Sequence, residues 1–492
     1  MPEAFRVDAP CGPVQGIRRG GIVRFLGVPY AEPPLGMARF AKAKARRRFD
    51  SVFSANAYGP AAPQRHAMPE PLATIASTTS TFDEDCLNLH VWTPDVRGRR
   101  PVLVFIHGGA FIIGSGAQYP GDDLARRGDI VVVTLNYRLG IFGFNAFPEI
   151  YEGDERFVAN AGLLDQRLAL EWVRDNIAAF GGDPERVTIA GESAGAASVA
   201  FHLVSSPSHP LFSRAILQSG TLNLFDPRKK AAAVYQEVAK KLSPGGDRER
   251  LFRIDHRLFS AQTRALAAKH AGILSRPYCD GVHMPEGHLG DLYRTMKKVP
   301  LLIGTNREEF SFFSELPLFP IEKNKAAMRT WVADVAGEAA AERIAHLYSS
   351  RRDGQIAFGT DLLFRMAAIH QAETHSAEAP TYMYRLDWEA KGLLSRLGAT
   401  HSVDLPLLFE DFLKPFRSVY LGVLPDPLRQ ALARRMRDHW IHFVREGRPG
   451  DDWPAYDPET RKTKVFGVRD SVLSDPEDVR RLAWQGVDGF AP

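Results

Sequence analysis

Cysteine is scarce: Cys11, Cys86 and Cys279 are the only three in 492 residues. That is too few for a disulfide framework and favours a reducing compartment. No apolar run approaches the roughly 18 residues of a membrane span. The opening "MPEAFRVDAP" lacks the apolar core of a signal peptide, so a cytoplasmic location is expected. Neither sign of charge dominates: 62 Lys and Arg stand against 58 Asp and Glu, a net charge of +4. The densest basic run, "KAKARRRF" from Lys42 to Phe49, reads as a solvated face, and no nucleic-acid partner is expected. Internal repeats and low-complexity tracts are also missing. No H-E-x-x-H and no paired Cys/His spacing is present, so neither metal nor cofactor is expected.

What remains is globular: 45% hydrophobic and 24% charged residues, close to the average for folded domains. Short runs rich in Val and Ile recur at Val102–Ile106, Ile130–Leu135, Val187–Ala190, Ala215–Gln218 and Pro300–Gly304. Such runs suit strands buried on both faces of a parallel sheet. Helical patterns alternate with them. In "DQRLALEWVRDNIAAFGG", Leu168, Trp172, Val173, Ile177 and Phe180 fall near helical spacing. In "DPLRQALARRMRDHWIHFVREGRPG", Leu428, Leu432, Met436, Trp440, Phe443 and Val444 form one stripe between Pro427 and Gly447. Alternating strands and helices predict a doubly wound α/β domain. The basic, strand-poor segment from Asp226 reads as a helical insertion or cap.

The most informative segment is "VTIAGESAGAAS". A buried strand runs into Gly191-Glu192-Ser193-Ala194-Gly195, the G-x-S-x-G nucleophile elbow in its strand–turn–helix setting. A side chain at 191 or 195 would clash where strand and helix meet. Serine needs a base and a place for negative charge. The second need points to His107-Gly108-Gly109-Ala110, after strand 102–106. It fits the H-G-G-G type of oxyanion loop, with Gly109, Ala110 and Ala194 offering backbone N–H groups. A phosphate loop is disfavoured, because no G-K-[ST] follows. His107 reads as a loop-orienting residue rather than the base. In an α/β hydrolase the acid and then the histidine follow the serine. Glu308 and Glu309 sit after strand 300–304, and His401 lies in "LGATHSVDLPLLF". His370, His375, His439 and His442 fall in helical patterns and fit less well.

These blocks make the chain resemble the type-B carboxylesterases, the family that includes bacterial p-nitrobenzyl esterases and the cholinesterases. "FGGDPERVTIAGESAG" (Phe180–Gly195) matches the serine signature and "EDCLNL" (Glu84–Leu89) a second one. "FLGVPYAEPPLGMARF", "NYRLGIFGF", "LLDQRLALEWV" and "LQSG" match further blocks in order. The resemblance covers about residues 5 to 480. It implies an α/β-hydrolase fold spanning 1–492 as one domain, with the helical insertion around 226–295. It also implies a Ser-Glu-His triad of Ser193, Glu309 and His401. The acid role is carried to Glu309 rather than Glu308. Ser219 of "LQSG" resembles a serine beside the triad, and Glu192 the acidic neighbour of the nucleophile. The family's usual disulfide partner of Cys86 falls near "PQRH", where Arg65 stands, so Cys86 is expected to be free. The loop Arg65–Asp85 has no Trp, which disfavours a choline ester. Phe310 stands where a Gly often follows the acid.

The expected function is therefore carboxylic ester hydrolysis through an acyl-enzyme, on small to medium apolar esters. A carbamate or amide hydrolase with the same triad is the runner-up. A non-catalytic binding relative is disfavoured because no triad member is missing. The "FSFFSELPLF" segment (Phe310–Phe319) either lines the site or packs in the core. Monomer and homodimer both stay open.

Overall fold

The computed structural model describes residues 3–64, 81–269, 274–315, 325–412, 417–487 and 489. Its framework is one 13-stranded sheet. The strands are β1 (Glu3–Ala9), β2 (Gly12–Arg19), β3 (Ile22–Pro29), β4 (Phe53–Ser54), β5 (Asn88–Thr93), β6 (Arg100–Ile106) and β7 (Val131–Leu135). They continue with β8 (Gly182–Glu192), β9 (Arg214–Gln218), β10 (Leu301–Asn306), β11 (Thr381–Leu386), β12 (Lys462–Phe466) and β13 (Ser471–Ser474). The spatial order is β1-β2-β3-β5-β7-β6-β8-β9-β10-β11-β12-β13, with β4 beside β2. Every pair from β7 to β12 is parallel, and antiparallel strands flank that centre. All five Val/Ile-rich runs fall in this parallel centre.

Side-chain alternation explains why those runs are apolar throughout. On β6, Val102, Val104 and Ile106 join one core while Leu103 and Phe105 join another. On β7, Val131, Val133 and Leu135 take the first side and Val132 the second. Helices α1 (Ala161–Asn176) and α2 (Ala194–Val204) cover the first side. Leu170 and Val173 of α1 and Val199 and Phe201 of α2 are fully buried there.

The second side is covered by helix α5 (Pro427–Glu446), near the C-terminus. Asp426 caps its start by accepting from the N–H groups of Leu428 and Arg429, and Gly447 ends it at φ +77°. Leu432, Met436, Trp440, Phe443 and Val444 are buried as the pattern predicts. Leu428 is not: it lies in the capped first turn and is exposed.

Helices α3 (Arg228–Leu242) and α4 (His256–Lys269) lie between Asp226 and Tyr278, whose bridge closes the base of this segment. Val234, Tyr235, Val238 and Leu242 bury against Phe40, Phe142, Phe147 and Phe157. This third core lies over the loops beside the sheet. Arg138 and Asp165 form an ion pair at 2.7 Å with side chains 2% and 0% exposed, which ties the chain after β7 to α1. Cys86 is buried and free, and burial pushes its thiol far above the ordinary value. Position 65 and most of the loop 65–85 lie outside the described residues, as do 316–319. No described helix is long and apolar enough to cross a membrane.

Candidate active site

The residues singled out from the sequence converge at the carboxyl ends of β6, β8, β10 and β11, where sites form in open α/β sheets. Ser193 joins β8 to α2 at φ +57°, ψ −123°. A non-glycine residue held there stores strain. Its N–H donates to the Gln218 carbonyl at 2.8 Å. The glycines around it are required by close approach. A Cβ on Gly191 would lie 2.4 Å from the Gly195 carbonyl oxygen. A Cβ on Gly195 would lie 2.0 Å from the Ile106 carbonyl oxygen, and one on Gly220 would lie 2.2 Å from the Ser193 carbonyl oxygen.

The glycine loop after β6 reaches the same place. A Cβ on Gly108 would fall 2.6 Å from the Glu192 carbonyl oxygen and 3.1 Å from Ser193 Cβ. Gly109 and Ala110 have φ of +108° and +53°. The Gly109 carbonyl accepts from the N–H groups of Ile112 and Ile113, both at 3.0 Å. Among the described residues no carbonyl accepts from the N–H of Gly109 or Ala110. Ala194 opens α2, where an N–H has no partner within the helix. The loop is braced by His107. Its Nδ1–H donates to the Gly108 carbonyl at 2.8 Å, and its ring stacks on Tyr137 at 4.5 Å. Tyr137 Oη–H in turn donates to the His107 carbonyl at 2.8 Å. Burial holds the His107 imidazole down to about 4, so it stays neutral. Gln64 clamps the far end of the loop, donating to the Gly114 carbonyl at 2.9 Å and accepting its N–H at 2.8 Å.

His401 is 4% exposed. Its Nδ1–H donates to Glu309 Oε2 at 2.6 Å, and Glu309 Oε1 accepts from the Asn306 N–H at 2.6 Å. The neighbouring Glu308 turns elsewhere: it accepts from the Ala399 N–H at 2.6 Å and from Arg307 at 2.7 Å. His401 Nε2 lies 3.2 Å from Glu192 Oε1. The rings of Phe313 and Phe364 each sit 4.9 Å from the imidazole. Burial pushes His401 down, but Glu192 and Glu309 outweigh it and carry the imidazole above its ordinary value. Burial raises Glu192, and the His401 charge opposes that rise.

Ser219 has φ +56°, and its N–H donates to the Gly304 carbonyl at 2.9 Å. Its buried Oγ has no hydrogen-bond partner among the described residues. Of the Phe310–Phe319 segment, Phe313 faces His401, whereas Phe310 packs against Gly359 in the core.

Two groups here are not singled out from the sequence, and a third, Trp440, is read there only as part of the helical stripe. Ser402 Oγ–H donates to Glu192 Oε1 at 2.6 Å. Buried Asp404 accepts from Gln218 at 2.5 Å and lies 3.5 Å from Asn306 Nδ2. Trp440 of α5 donates to Gln218 at 3.2 Å. Their signals are long-range or conformational, and no spacing rule exposes them.

Comparison with known proteins identifies the family. Residues 3–474 match the carboxylesterase family. The para-nitrobenzyl esterase of Bacillus subtilis is 35% identical, covering 96% of this chain and 97% of its own. The phenmedipham hydrolase of Pseudarthrobacter oxydans is 32% identical over 96% and 98% of the two chains. A solved PNB esterase superposes with a TM-score of 0.87 at 32% identity, covering 97% of this chain and 99% of that one. A Geobacillus stearothermophilus carboxylesterase superposes at 0.84 with 34% identity, over 98% and 100%. With an α/β-hydrolase sheet, an elbow serine and whole-length relatives that include esterases, the chain belongs to the carboxylesterase family and is a hydrolase of carboxylic ester bonds.

Proposed function

We propose that hydrolysis runs through Ser193, His401 and Glu309, with the N–H groups of Gly109, Ala110 and Ala194 as the oxyanion hole, on small to medium apolar esters. The observation that carries this is the 2.6 Å bond from His401 Nδ1–H to Glu309 beside the strained Ser193 elbow. When the imidazole is neutral, that bond puts its lone pair on Nε2, which is the tautomer a serine hydrolase needs. Nε2 takes the Ser193 proton as Oγ bonds to the ester carbonyl carbon. Charge passes to the carbonyl oxygen and is met by the loop N–H groups, each worth about 3 kcal/mol in such sites. The imidazolium, stabilised by Glu309, returns its proton to the leaving alkoxy oxygen as the C–O bond breaks. Water then attacks the acyl-enzyme by the same route, freeing the acid and Ser193.

The rings of Phe313 and Phe364 beside His401 support an apolar substrate. We read Glu192, Ser219 and His107 as supports of this machinery rather than reacting groups. We also read the chain as one domain, with residues 226–295 as a helical insertion. The test is hydrolysis of p-nitrophenyl esters from acetate to octanoate by the wild type and by Ser193→Ala. Loss of nearly all activity in a folded variant is expected, and the chain-length optimum sizes the acyl pocket. Retained activity overturns the mechanism.

A further inference from the structure

Directly after His401, the backbone does something costly. Ser402 has φ +64°, a left-handed conformation that glycine adopts with less strain. The side chain held there is not idle. Its Oγ–H donates to Glu192 Oε1 at 2.6 Å, and the same oxygen lies 3.2 Å from His401 Nε2. The other Glu192 oxygen lies against the glycine loop, 2.8 Å from where a Cβ on Gly108 would sit. One strained residue therefore ties together the base, the acidic neighbour of the nucleophile and, through that carboxylate, the loop.

We infer that Ser402 is a positioning residue for ester hydrolysis: its hydroxyl pins the Glu192 carboxylate beside His401 Nε2 and keeps it ionised, giving the imidazolium a second negative partner. This rests on the triad reading above. A neutral imidazole presents its Nε2 lone pair to the Glu192 oxygen, which is unfavourable, whereas an imidazolium presents N–H, which is favourable. Glu192 thus rewards the protonated state formed as Ser193 attacks. A hydroxyl donated to a carboxylate favours the charged form. Glu192 needs that help, because it is 2% exposed and shares its surroundings with two other carboxylates. The groups facing Glu192 are His401, Asp404, Glu309 and Ser402, with the phenols of Tyr119, Tyr384 and Tyr420 nearby. Those facing His401 are Glu309 at Nδ1, Glu192 at Nε2, Asp404 beyond, and the two phenylalanine rings.

The sign follows. Removing the hydroxyl makes Glu192 hold a proton more tightly. It then carries less negative charge across the working range, and His401 loses part of the attraction that favours its charged form. The acid limb of kcat/KM, where His401 becomes neutral, moves to lower pH. The plateau falls because the imidazolium is less stabilised.

The experiment measures kcat/KM for p-nitrophenyl butyrate from pH 5 to 10 with full-length enzyme. The variants are Ser402→Ala, Ser402→Gly, Glu192→Gln and Ser402→Ala on the Glu192→Gln background. For Ser402→Ala an acid limb about half a pH unit or more lower is expected, with a plateau loss of about tenfold. Ser402→Gly is expected to match it while raising Tm, since it relieves the backbone. Glu192→Gln is expected to shift the limb the same way and to abolish any further effect of Ser402→Ala. Profiles of both Ser402 variants that superimpose on the wild type overturn the inference. So does a Ser402 effect that persists undiminished without the Glu192 carboxylate. Should the Glu192→Gln protein not fold, the paired Ala and Gly variants still decide, because a merely structural role predicts opposite Tm changes and no common pH shift. If Ser193→Ala stays active, the triad reading itself has failed; if it is inert while the Ser402 profiles are unmoved, only this inference has.

Discussion

Replacing Glu309 by Gln tests the acid–base arrangement most sharply, because the amide has the right shape and the wrong hydrogen-bond pattern. The carboxylate uses both oxygens as acceptors: Oε1 takes the Asn306 backbone N–H and Oε2 takes His401 Nδ1–H, each at 2.6 Å. Glutamine has one acceptor and one donor group. The Asn306 N–H is fixed in the backbone at the end of β10 and has no tautomer. Facing it with an NH2 leaves two buried donors opposed, at about 1–3 kcal/mol. The amide oxygen therefore stays on Asn306 and the NH2 turns to His401 Nδ1. The imidazole adapts by moving its proton to Nε2, and Nε2 then has no lone pair for the Ser193 proton. The expected loss in kcat on p-nitrophenyl acetate is about 10⁴-fold, or about 5.5 kcal/mol. Tm stays near wild type, since a buried charge is removed rather than created. Glu309→Asp keeps both acceptors and loses reach, so about 10- to 100-fold is expected. A folded Glu309→Gln enzyme with kcat within tenfold of wild type refutes the tautomer argument, and with it the role of Glu309.

The pH profile of the wild type carries its own sign. Hydrolysis needs neutral His401, and Glu192 and Glu309 outweigh burial to raise its proton affinity. The acid limb of kcat/KM should therefore lie above the ordinary value of about 6.5, with activity climbing from pH 6 towards 9; a flat profile from pH 5 to 8 is the contrary result. Gly195→Ala puts a Cβ 2.0 Å from the Ile106 carbonyl oxygen, against backbone that must move by about 1 Å. A lower Tm, with about a 10²-fold loss in kcat, is expected by differential scanning fluorimetry and steady-state kinetics. Gly114→Ala would meet His107 Nδ1 at 2.3 Å, displacing the oxyanion loop, so kcat should fall more than KM rises. Arg138→Met strands Asp165 without its partner in the core and should cost about 3–5 kcal/mol in urea unfolding, with no selective effect on the pH profile.

How much of this is legible in the sequence depends on the range of the interaction. The elbow at Ser193 is legible because the contact that demands Gly191 is made to Gly195, four residues on in the same strand–turn–helix unit, whereas the contact that demands Gly195 comes from Ile106 of β6 and is read only through the motif. The glycine loop is legible for the same reason: it follows the strand Val102–Ile106 directly. The choice between Glu308 and Glu309 is different. Both follow β10, and spacing alone does not separate them. The resemblance picks Glu309, and the structure supplies the physical distinction. At Glu309 the backbone has φ −44°, ψ −49°, the start of a helical turn. Consecutive side chains there point about 100° apart, so Glu309 faces His401 while Glu308 faces the Ala399 N–H. Leu428 is misplaced by pattern because the period says nothing about where a capped first turn leaves the core. The layer beneath the site is illegible for a deeper reason. Trp440, Gln218 and Asp404 meet across separations of 222 and 186 residues, and each residue by itself reads as ordinary core or surface. Ser402 leaves even less trace, because a serine forced to positive φ looks like any other serine until the backbone is seen. Local steric demands are thus written into residue identity. The electrostatic tuning of the base is written into tertiary contacts, and that is where substitutions with the least obvious sequence rationale should change the pH dependence most.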